Sequence, residues 1–414
     1  MSGPGLHLVG QEEIDEVLDV LRTRHLYRYG PADDPTFGAK TRHLEEAVAA
    51  RSGVEYAVAV NSGTSALLAG LAALGIGAGD EVIVPGFTFV ASISAIVYAG
   101  ARPVLAEIDD SFNLDPVDVA SKITSRTRGI IAVHMLGSPA RLAELKGLAD
   151  NHGLALIEDC AQAFGASYRG RPVGSIGDVG TLSFNAFKTI TCGDGGMLLT
   201  HDEELYRRAF AMHDQGHSPL RLDVAMGERP FLGLNFRMTE LNAAVLLAQL
   251  RRLDAIHERL RANKAQLKSR IADVPGLRFR DLPDPDGDLA THLVVLLPTS
   301  EAARAVANEL GTRVLAQSGW HIYSQMEHLL RQRTASNKGA PFYADDPSRA
   351  APDYWPGMLP QTDDLVGRAL TIGIGVSDRN LGSNFGVTIL DGEPEVEQAA
   401  ARFRAAAAHH LAAA

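Results

Sequence analysis

Short apolar runs alternate along the chain with stretches in which apolar residues recur every three or four positions. Tyr56 to Val60, Glu81 to Pro85, Arg102 to Ile108, Gly129 to Met135 and Leu154 to Asp159 read as strands, with helical segments between most of them. That alternation predicts an α/β fold. Val82-Ile83-Val84 and Ile130-Ile131-Ala132-Val133 are apolar throughout, without a period of two. This is the pattern of a mostly parallel sheet covered on both faces, and in such sheets ligands gather at the carboxyl ends of the strands.

The second half reads differently. Behind Thr239, a good N-cap, Leu246, Leu250, Leu253, Ile256 and Leu260 follow at intervals of three and four and lie on one face of a long helix. This helix is expected to link two domains. From about Pro275 the strand and helix candidates shorten, and Thr334 to Pro352 is a polar stretch rich in Ala, Pro, Asp and Ser. The expected organisation is a large α/β/α domain over residues 1–255 with a mostly parallel sheet, and a smaller α+β domain over residues 256–414. Ala405 to Ala414 form an Ala-rich helical end, in which His409-His410 reads as part of a solvated tail rather than as a metal site.

Composition narrows the classes of function. With 414 residues, 46% hydrophobic and 21% charged, the chain can bury a large core. The formal net charge of −11 is spread without a basic stripe, which argues against nucleic acid and anionic membrane surfaces as partners. The two cysteines, Cys160 and Cys192, have neither CxxC nor HExxH spacing around them, so no disulfide framework and no metal site is expected. Met1 to Gln11 lacks a basic segment followed by an apolar core, and no later stretch is long and apolar enough to span a bilayer. The expected location is the cytoplasm.

The candidate chemistry centres on Lys188, which closes the run Ser183-Phe184-Asn185-Ala186-Phe187-Lys188 ahead of Cys192-Gly193-Asp194-Gly195-Gly196. Upstream stands Glu158-Asp159-Cys160-Ala161-Gln162-Ala163. A lysine amine can hold an aldehyde cofactor as a Schiff base, and a carboxylate buried at a strand end can keep a pyridine nitrogen protonated. Read alone, Lys188 is a solvated charge, and Asp159 reads equally as a helix N-cap or as the partner of a buried positive charge. Read together, the acid delivered by an apolar strand needs a positive partner, and apolar surroundings would lower the pKa of the amine. Asn61-Ser62-Gly63-Thr64 follows a strand and opens a helix, which suits either an ordinary capped turn or a phosphate site. Gly75-Ile76-Gly77-Ala78-Gly79-Asp80 lacks the last glycine of GxGxxG and precedes a strand, so it does not read as a dinucleotide site.

With Tyr29-Gly30-Pro31, Asn61 to Leu67, Pro85-Gly86-Phe87-Thr88-Phe89-Val90-Ala91 and Leu234 to Leu241, these blocks run through most of the chain in order. The chain resembles the DegT/DnrJ/StrS group of sugar aminotransferases, which are fold-type I pyridoxal-phosphate enzymes. The resemblance implies pyridoxal 5'-phosphate as cofactor and Lys188 and Asp159 as catalytic residues. It further implies that Ser62, Gly63, Thr64 and Ser183 surround the phosphate, that Phe89 stacks on the ring, and that Gln162 lies near its phenolic oxygen. It implies a homodimer with shared active sites, Asn235 donating to the phosphate held by the neighbouring subunit. Arg237 reads equally as a substrate-carboxylate ligand or as a structural tie. The other substrate candidates are Tyr29, His134, His321 and Tyr323, the last two reading equally as a buried structural pair. Two departures stand out: Asp194 replaces the family's usual glutamate, and His134-Met135-Leu136-Gly137 differs from a more frequent His-hydrophobic-Tyr-Gly and lacks the Asp often found after the following Pro, which argues against a standard nucleotide-sugar reading.

The expected function is a pyridoxal-phosphate aminotransferase that moves an amino group from glutamate or glutamine to a keto-sugar or keto-cyclitol, in secondary-metabolite or sugar biosynthesis. Dehydration, racemisation or oxidation with the same cofactor are the alternatives within the family. The relatives that dehydrate carry histidine in place of the lysine, so Lys188 argues against that reaction. A non-catalytic binding or regulatory protein on the same scaffold is the alternative from outside, and the joint presence of Lys188 and Asp159 argues against it.

Overall fold

The computed structural model describes residues 2–30, 33–219, 229–335, 340–342 and 354–411. Most of the polar stretch expected from Thr334 to Pro352, and the last three residues, lie outside that set. Seven strands form the main sheet: β1 (Tyr56–Val60), β2 (Glu81–Pro85), β3 (Arg102–Ala106), β4 (Thr127–Val133), β5 (Ala155–Asp159), β8 (Val179–Ser183) and β9 (Gly196–Thr200). Their order is β1-β9-β8-β5-β4-β2-β3. Of these strands β9 alone runs antiparallel to its neighbours, β1 and β8. Between β5 and β8 lies a two-residue-a-side ribbon, β6 (Ser167–Tyr168) and β7 (Arg171–Pro172).

The unbroken apolar runs follow from this placement. Successive side chains on a strand point to opposite faces. Ile83, Ile130, Ala132 and Leu156 pack in one buried cluster, and Val82, Val84, Ile131, Val133 and Ile157 in another. Both faces of the sheet are therefore core. The first of these clusters continues through Leu260, Leu267, Leu293 and Phe403, so one apolar body reaches from the main sheet into the C-terminal part.

That part holds a second sheet of β10 (Arg278–Phe279), β11 (His292–Leu296), β12 (Ala369–Ile374) and β13 (Gly386–Val387), in that order. Helices Ser300–Leu310 and Glu393–Leu411 accompany it. At the end of the latter, His409 and His410 both lie against Glu309. No helix among the described residues is long and apolar enough to cross a membrane.

Three boundaries differ from the expectation. β3 stops at Ala106, because Ile108 leaves the ladder for a single bridge with Leu114. β4 begins and ends two residues early, at Thr127 and Val133. The long helix behind Thr239 is two helices, Glu240–Leu250 and Leu253–Ile271. At the break Arg252 leaves helical geometry, and its guanidinium turns to Leu8 O and Glu13. The apolar spacing continues across the break because the same core lies under both pieces. Leu246, Leu253, Ile256 and Leu260 are buried and Leu250 is half-buried.

Candidate active site

Five segments that follow carboxyl ends of main-sheet strands converge at one edge: Asn61 to Thr64 after β1, Gly86 to Phe89 after β2, His134 after β4, Asp159 to Gln162 after β5, and Ser183 to Lys188 after β8. Two adjoining cavities open there, of about 130 and 260 Å³, and Lys188 lines both. Phe89, Ala161, Gln162, Ser183 and Asn185 form the rest of the shared wall.

The smaller cavity brings together the residues assigned to a cofactor, apart from Asn235. Helix Gly63–Ala73 points its amino end into it. Ser62 caps that helix, its Oγ accepting from the Ser65 amide at 3.0 Å. The first amides of a helix have no acceptor within it, and those of Gly63 and Thr64 head this one at the cavity wall. A Cβ on Gly63 would stand 2.8 Å from Ser183 Cβ, so only glycine lets the helix and the lysine loop approach this closely. Phe89 supplies an aromatic wall, with its ring centroid 5.1 Å from that of His321. Gln162 is held by its Oε1, which accepts from the Leu136 amide at 2.8 Å.

Asp159 is 4% exposed, and its orientation is fixed from two sides. Oδ2 accepts from Ser92 Oγ at 2.8 Å and Oδ1 from the Ala161 amide at 3.1 Å. Thr88 Oγ1 lies 2.8 Å from Ser92 Oγ and extends the chain. Neither Ser92 nor Thr88 was among the sequence candidates, since Ser92 lies inside the helix Val90–Tyr98 and Thr88 ahead of its cap. An anion site at a helix end, a flat aromatic wall, an isolated amine and a buried carboxylate suit a molecule carrying a phosphate, a planar ring, an aldehyde and a basic ring nitrogen. The site therefore fits pyridoxal phosphate.

Burial pushes the Lys188 amine down to about 8, while the negative charges of Asp159 and Asp378 pull the other way. Relative to an ordinary lysine at 10.5, the fraction of neutral amine at pH 7 rises about 300-fold. This is the form that attacks a carbonyl.

The larger cavity is lined by side chains from both sheets and their loops. Tyr323 N donates to Gly86 O at 2.9 Å, and Phe87 bridges Ile322, which draws the segment Gly319 to Tyr323 onto the main sheet. His321 and Trp320 reach the cavity in this way, and the second sheet adds Thr291, His292, Asp378 and Asn380. Burial drives His321 to about 4 and His292 to about 3, so both rings are neutral at pH 7. Asp378 repeats the motif that singled out Asp159, an acid just beyond an apolar strand, and that signal could have found it. Trp320, Thr291 and Asn380 carry no such mark.

Of the five substrate candidates only His321 lines a cavity, and two of the others, His134 and Tyr323, are spent on structural bonds. His134 is fully buried, with Nε2 3.0 Å from Glu158 Oε2 and Nδ1 accepting from the Ala140 amide at 3.0 Å. Glu158 itself accepts from the amides of Gly174, Ile176 and Gly177, so the pair braces the chain behind Asp159. Tyr323 is also buried. Its hydroxyl donates to Asp363 Oδ2 at 2.9 Å and accepts from the amides of Gly357 and Leu359, which makes it the structural member of the His-Tyr pair.

Tyr29, Asn235 and Arg237 form a separate group. Tyr29 OH donates to Asp214 Oδ2 at 2.7 Å, and Arg237 Nη1 donates to Asp214 Oδ1 at 2.5 Å. Burial alone would raise the Asp214 carboxyl, but these two donors hold it below the usual range. Asn235 is exposed beside them, and none of the three lines either cavity.

A feature that sequence reading passed over is the amino-terminal strap. Ser2 pairs with Ser377, and Gly3 N donates to Ala186 O at 2.9 Å. Gln249 joins both sides, donating to Gly5 O and accepting from the Thr191 amide. A Cβ on Gly3 would lie 2.4 Å from the Phe187 carbonyl. Residues 2–5 thus clamp the lysine loop to the loop that carries Asp378.

A family model described as the DegT/DnrJ/EryC1/StrS aminotransferase family matches residues 9–374. The chain is 37% identical over 303 residues to L-glutamine:2-deoxy-scyllo-inosose aminotransferase of Streptomyces paromomycinus, covering 71% of each chain. It is 37% identical over 316 residues to spore coat polysaccharide biosynthesis protein SpsC of Bacillus subtilis strain 168, covering 74% of this chain and 78% of that one. Among solved structures, an aminotransferase from Psychrobacter cryohalolentis superimposes with a TM-score of 0.77 at 31% identity, covering 97% of this chain and 98% of the other.

Proposed function

The chain belongs to the DegT/DnrJ/EryC1/StrS aminotransferase family, and from that premise we propose that it carries an amino group from glutamate or glutamine to a ketone on a sugar or cyclitol ring. It is a pyridoxal-phosphate-dependent aminotransferase with the fold-type I architecture. The observation that carries the residue assignment is the placement of the Lys188 amine and the buried Asp159 carboxylate on one small cavity headed by a helix amino end.

When bound, the cofactor supplies an aldehyde that captures amines and a ring that accepts electrons. The protein's part is to hold and to move protons. Gly63, Thr64 and Ser183 bind the phosphate, Phe89 and Gln162 fix the plane of the ring, and Asp159 holds the proton on the ring nitrogen. Lys188 Nζ takes the proton from the amine-bearing carbon of the donor, and returns one to the corresponding carbon of the acceptor. The larger cavity, on the other side of Lys188, receives donor and acceptor in turn. The division into residues 1–255 and 256–414 assigns the cofactor residues to the first unit and the His321 wall to the second. A cytoplasmic location suits this reading.

The direct test is the visible absorption of the purified protein loaded with pyridoxal phosphate. L-glutamine or L-glutamate is expected to convert the cofactor band, and a keto-cyclitol or keto-sugar to restore it. A band that ignores both donors would sink the assignment.

The group of Tyr29, Asn235 and Arg237, set apart from the cavities of its own chain, supports a homodimer in which these residues complete the partner's site. Mixing tests it. Lys188→Ala and the double variant Asn235→Ala/Arg237→Ala are each expected to be inactive alone. Refolded together, they should recover roughly a quarter of wild-type activity, because randomly paired subunits rebuild one intact site per mixed dimer. No recovery would place Asn235 and Arg237 with the Lys188 of their own chain.

A further inference from the structure

Behind Asp159 two hydroxyl groups stand in file, and the count of their protons gives the file a direction. Ser92 lies in the first turn of helix Val90–Tyr98, where its amide donates to Phe89 O at 3.1 Å, and it lines neither cavity. Ser92 Oγ is 2.8 Å from Asp159 Oδ2, and an ionised carboxylate only accepts, so the one hydroxyl proton of Ser92 is spent there. Thr88 Oγ1 is 2.8 Å from Ser92 Oγ, and with that proton committed it is Thr88 that donates. The other acceptor within reach of Thr88, Phe89 O, is farther away at 3.4 Å.

Both hydroxyls are buried, so bulk water does not compete for either bond. A hydrogen bond to a charged acceptor is roughly twice as strong as one between neutral groups, and a donor that itself accepts a bond is polarised into a stronger one. The file from Thr88 through Ser92 therefore favours the negative form of Asp159, as does the Ala161 amide at Oδ1. Oδ2 also lies against the first turn of helix Val90–Tyr98, the end at which negative charge is favoured. Thr88 stands next to Phe89 and lines the smaller cavity with it, so one short segment fixes both the aromatic wall and the acid.

We propose that Thr88 and Ser92 are positioning residues for amine transfer: their two hydroxyls hold Asp159 charged and oriented, and so keep the proton on the cofactor's ring nitrogen rather than on the carboxylate. The inference rests on the reading of Asp159 as the partner of that nitrogen. A carboxylate stripped of its donors draws the proton towards itself, and a ring nitrogen without its proton accepts electrons less well. Neither hydroxyl takes part in making or breaking a bond of the substrate.

Nitrogen-15 NMR of the holoenzyme loaded with ring-labelled pyridoxal phosphate reads that proton directly. Wild type at neutral pH is expected to show the resonance of a protonated ring nitrogen. Ser92→Ala should move it towards that of unprotonated pyridine, Thr88→Val should move it the same way by less, and Ser92→Thr should bring it back. Thr88→Val keeps the shape of the side chain, and retained cofactor absorption certifies the fold of each variant. Turnover in Ser92→Ala should fall about tenfold, the scale of one hydrogen bond to a charged group. Asp159→Asn, measured alongside, separates this proposal from the reading on which it rests. A resonance that moves in Asp159→Asn but not in Ser92→Ala overturns the relay and leaves the role of Asp159 standing. A resonance that moves in neither removes Asp159 as the partner of the ring nitrogen, and the relay falls with it.

Discussion

Lys188→Ala should lower amine transfer by at least about 10³-fold, near the upper part of the range for a removed general acid–base group. The loss exceeds that of an ordinary binding residue because one nitrogen performs two tasks, holding the cofactor and moving the proton. Two readouts besides turnover separate these tasks from a collapse of the fold. Borohydride should add the mass of the cofactor to the Lys188 peptide in wild type and add nothing in the variant. Capture of free pyridoxal phosphate by cofactor-free wild type should depend on pH in a set direction. The Lys188 amine titrates near 8 in the folded protein, so its neutral fraction grows as pH rises through 8 and levels above it. The rate of capture should follow that curve. A rate still climbing towards 10.5, the value of an unperturbed lysine, would mean that burial does not act on this amine as the structure indicates. Lys188→Arg should not rescue either readout, because a guanidinium remains charged across this range.

Much of the fold was legible because its signals are local. Apolar runs bounded by polar turns gave β1 and β2 at their observed limits and β5 to within one residue, since strands buried on both faces leave continuous hydrophobic sequence. The limits of β3 and β4 were less legible, because register with neighbouring strands, not composition, decides where a ladder stops. The break at Arg251 and Arg252 was invisible for a related reason. The apolar spacing reports the core beneath the helices, and the break is made by Arg252 reaching residues more than 200 positions away.

The site divides in the same way. Asp159, Lys188 and the head of the helix at Gly63 carry marks in sequence, since each stands at the end of an apolar strand or opens a helix. Ser92 and the strap at Ser2 to Gly5 act through contacts with distant segments, and nothing in their own neighbourhoods announces them. His134 and Tyr323 show the converse. Their residue types suggest chemistry, yet their hydrogen bonds are spent on Glu158, Asp363 and backbone amides.

Asp159→Asn tests the other half of the catalytic pair, and its effect can be argued from the two oxygens separately. Oδ1 accepts from the Ala161 amide, and an asparagine carbonyl can keep that bond. The Oδ2 position, where Ser92 now donates, would become an NH₂ donor, and the Ser92 hydroxyl can rotate to accept. Shape and burial are thus conserved, and what disappears is the negative charge. Cofactor should remain bound, while turnover falls about 10²–10³-fold, the scale for losing one preorganised electrostatic partner of the transition state. The charge also acts at a distance on Lys188, whose amine Asp159 holds higher than burial alone would. Removing it should move the pH midpoint for cofactor capture below 8 in the cofactor-free protein. A residue that only braced the strand end would slow turnover without shifting that midpoint. An unchanged midpoint together with lost activity would therefore reassign Asp159 to structure, and an acid shift with retained cofactor would fix it as the charge that works opposite Lys188.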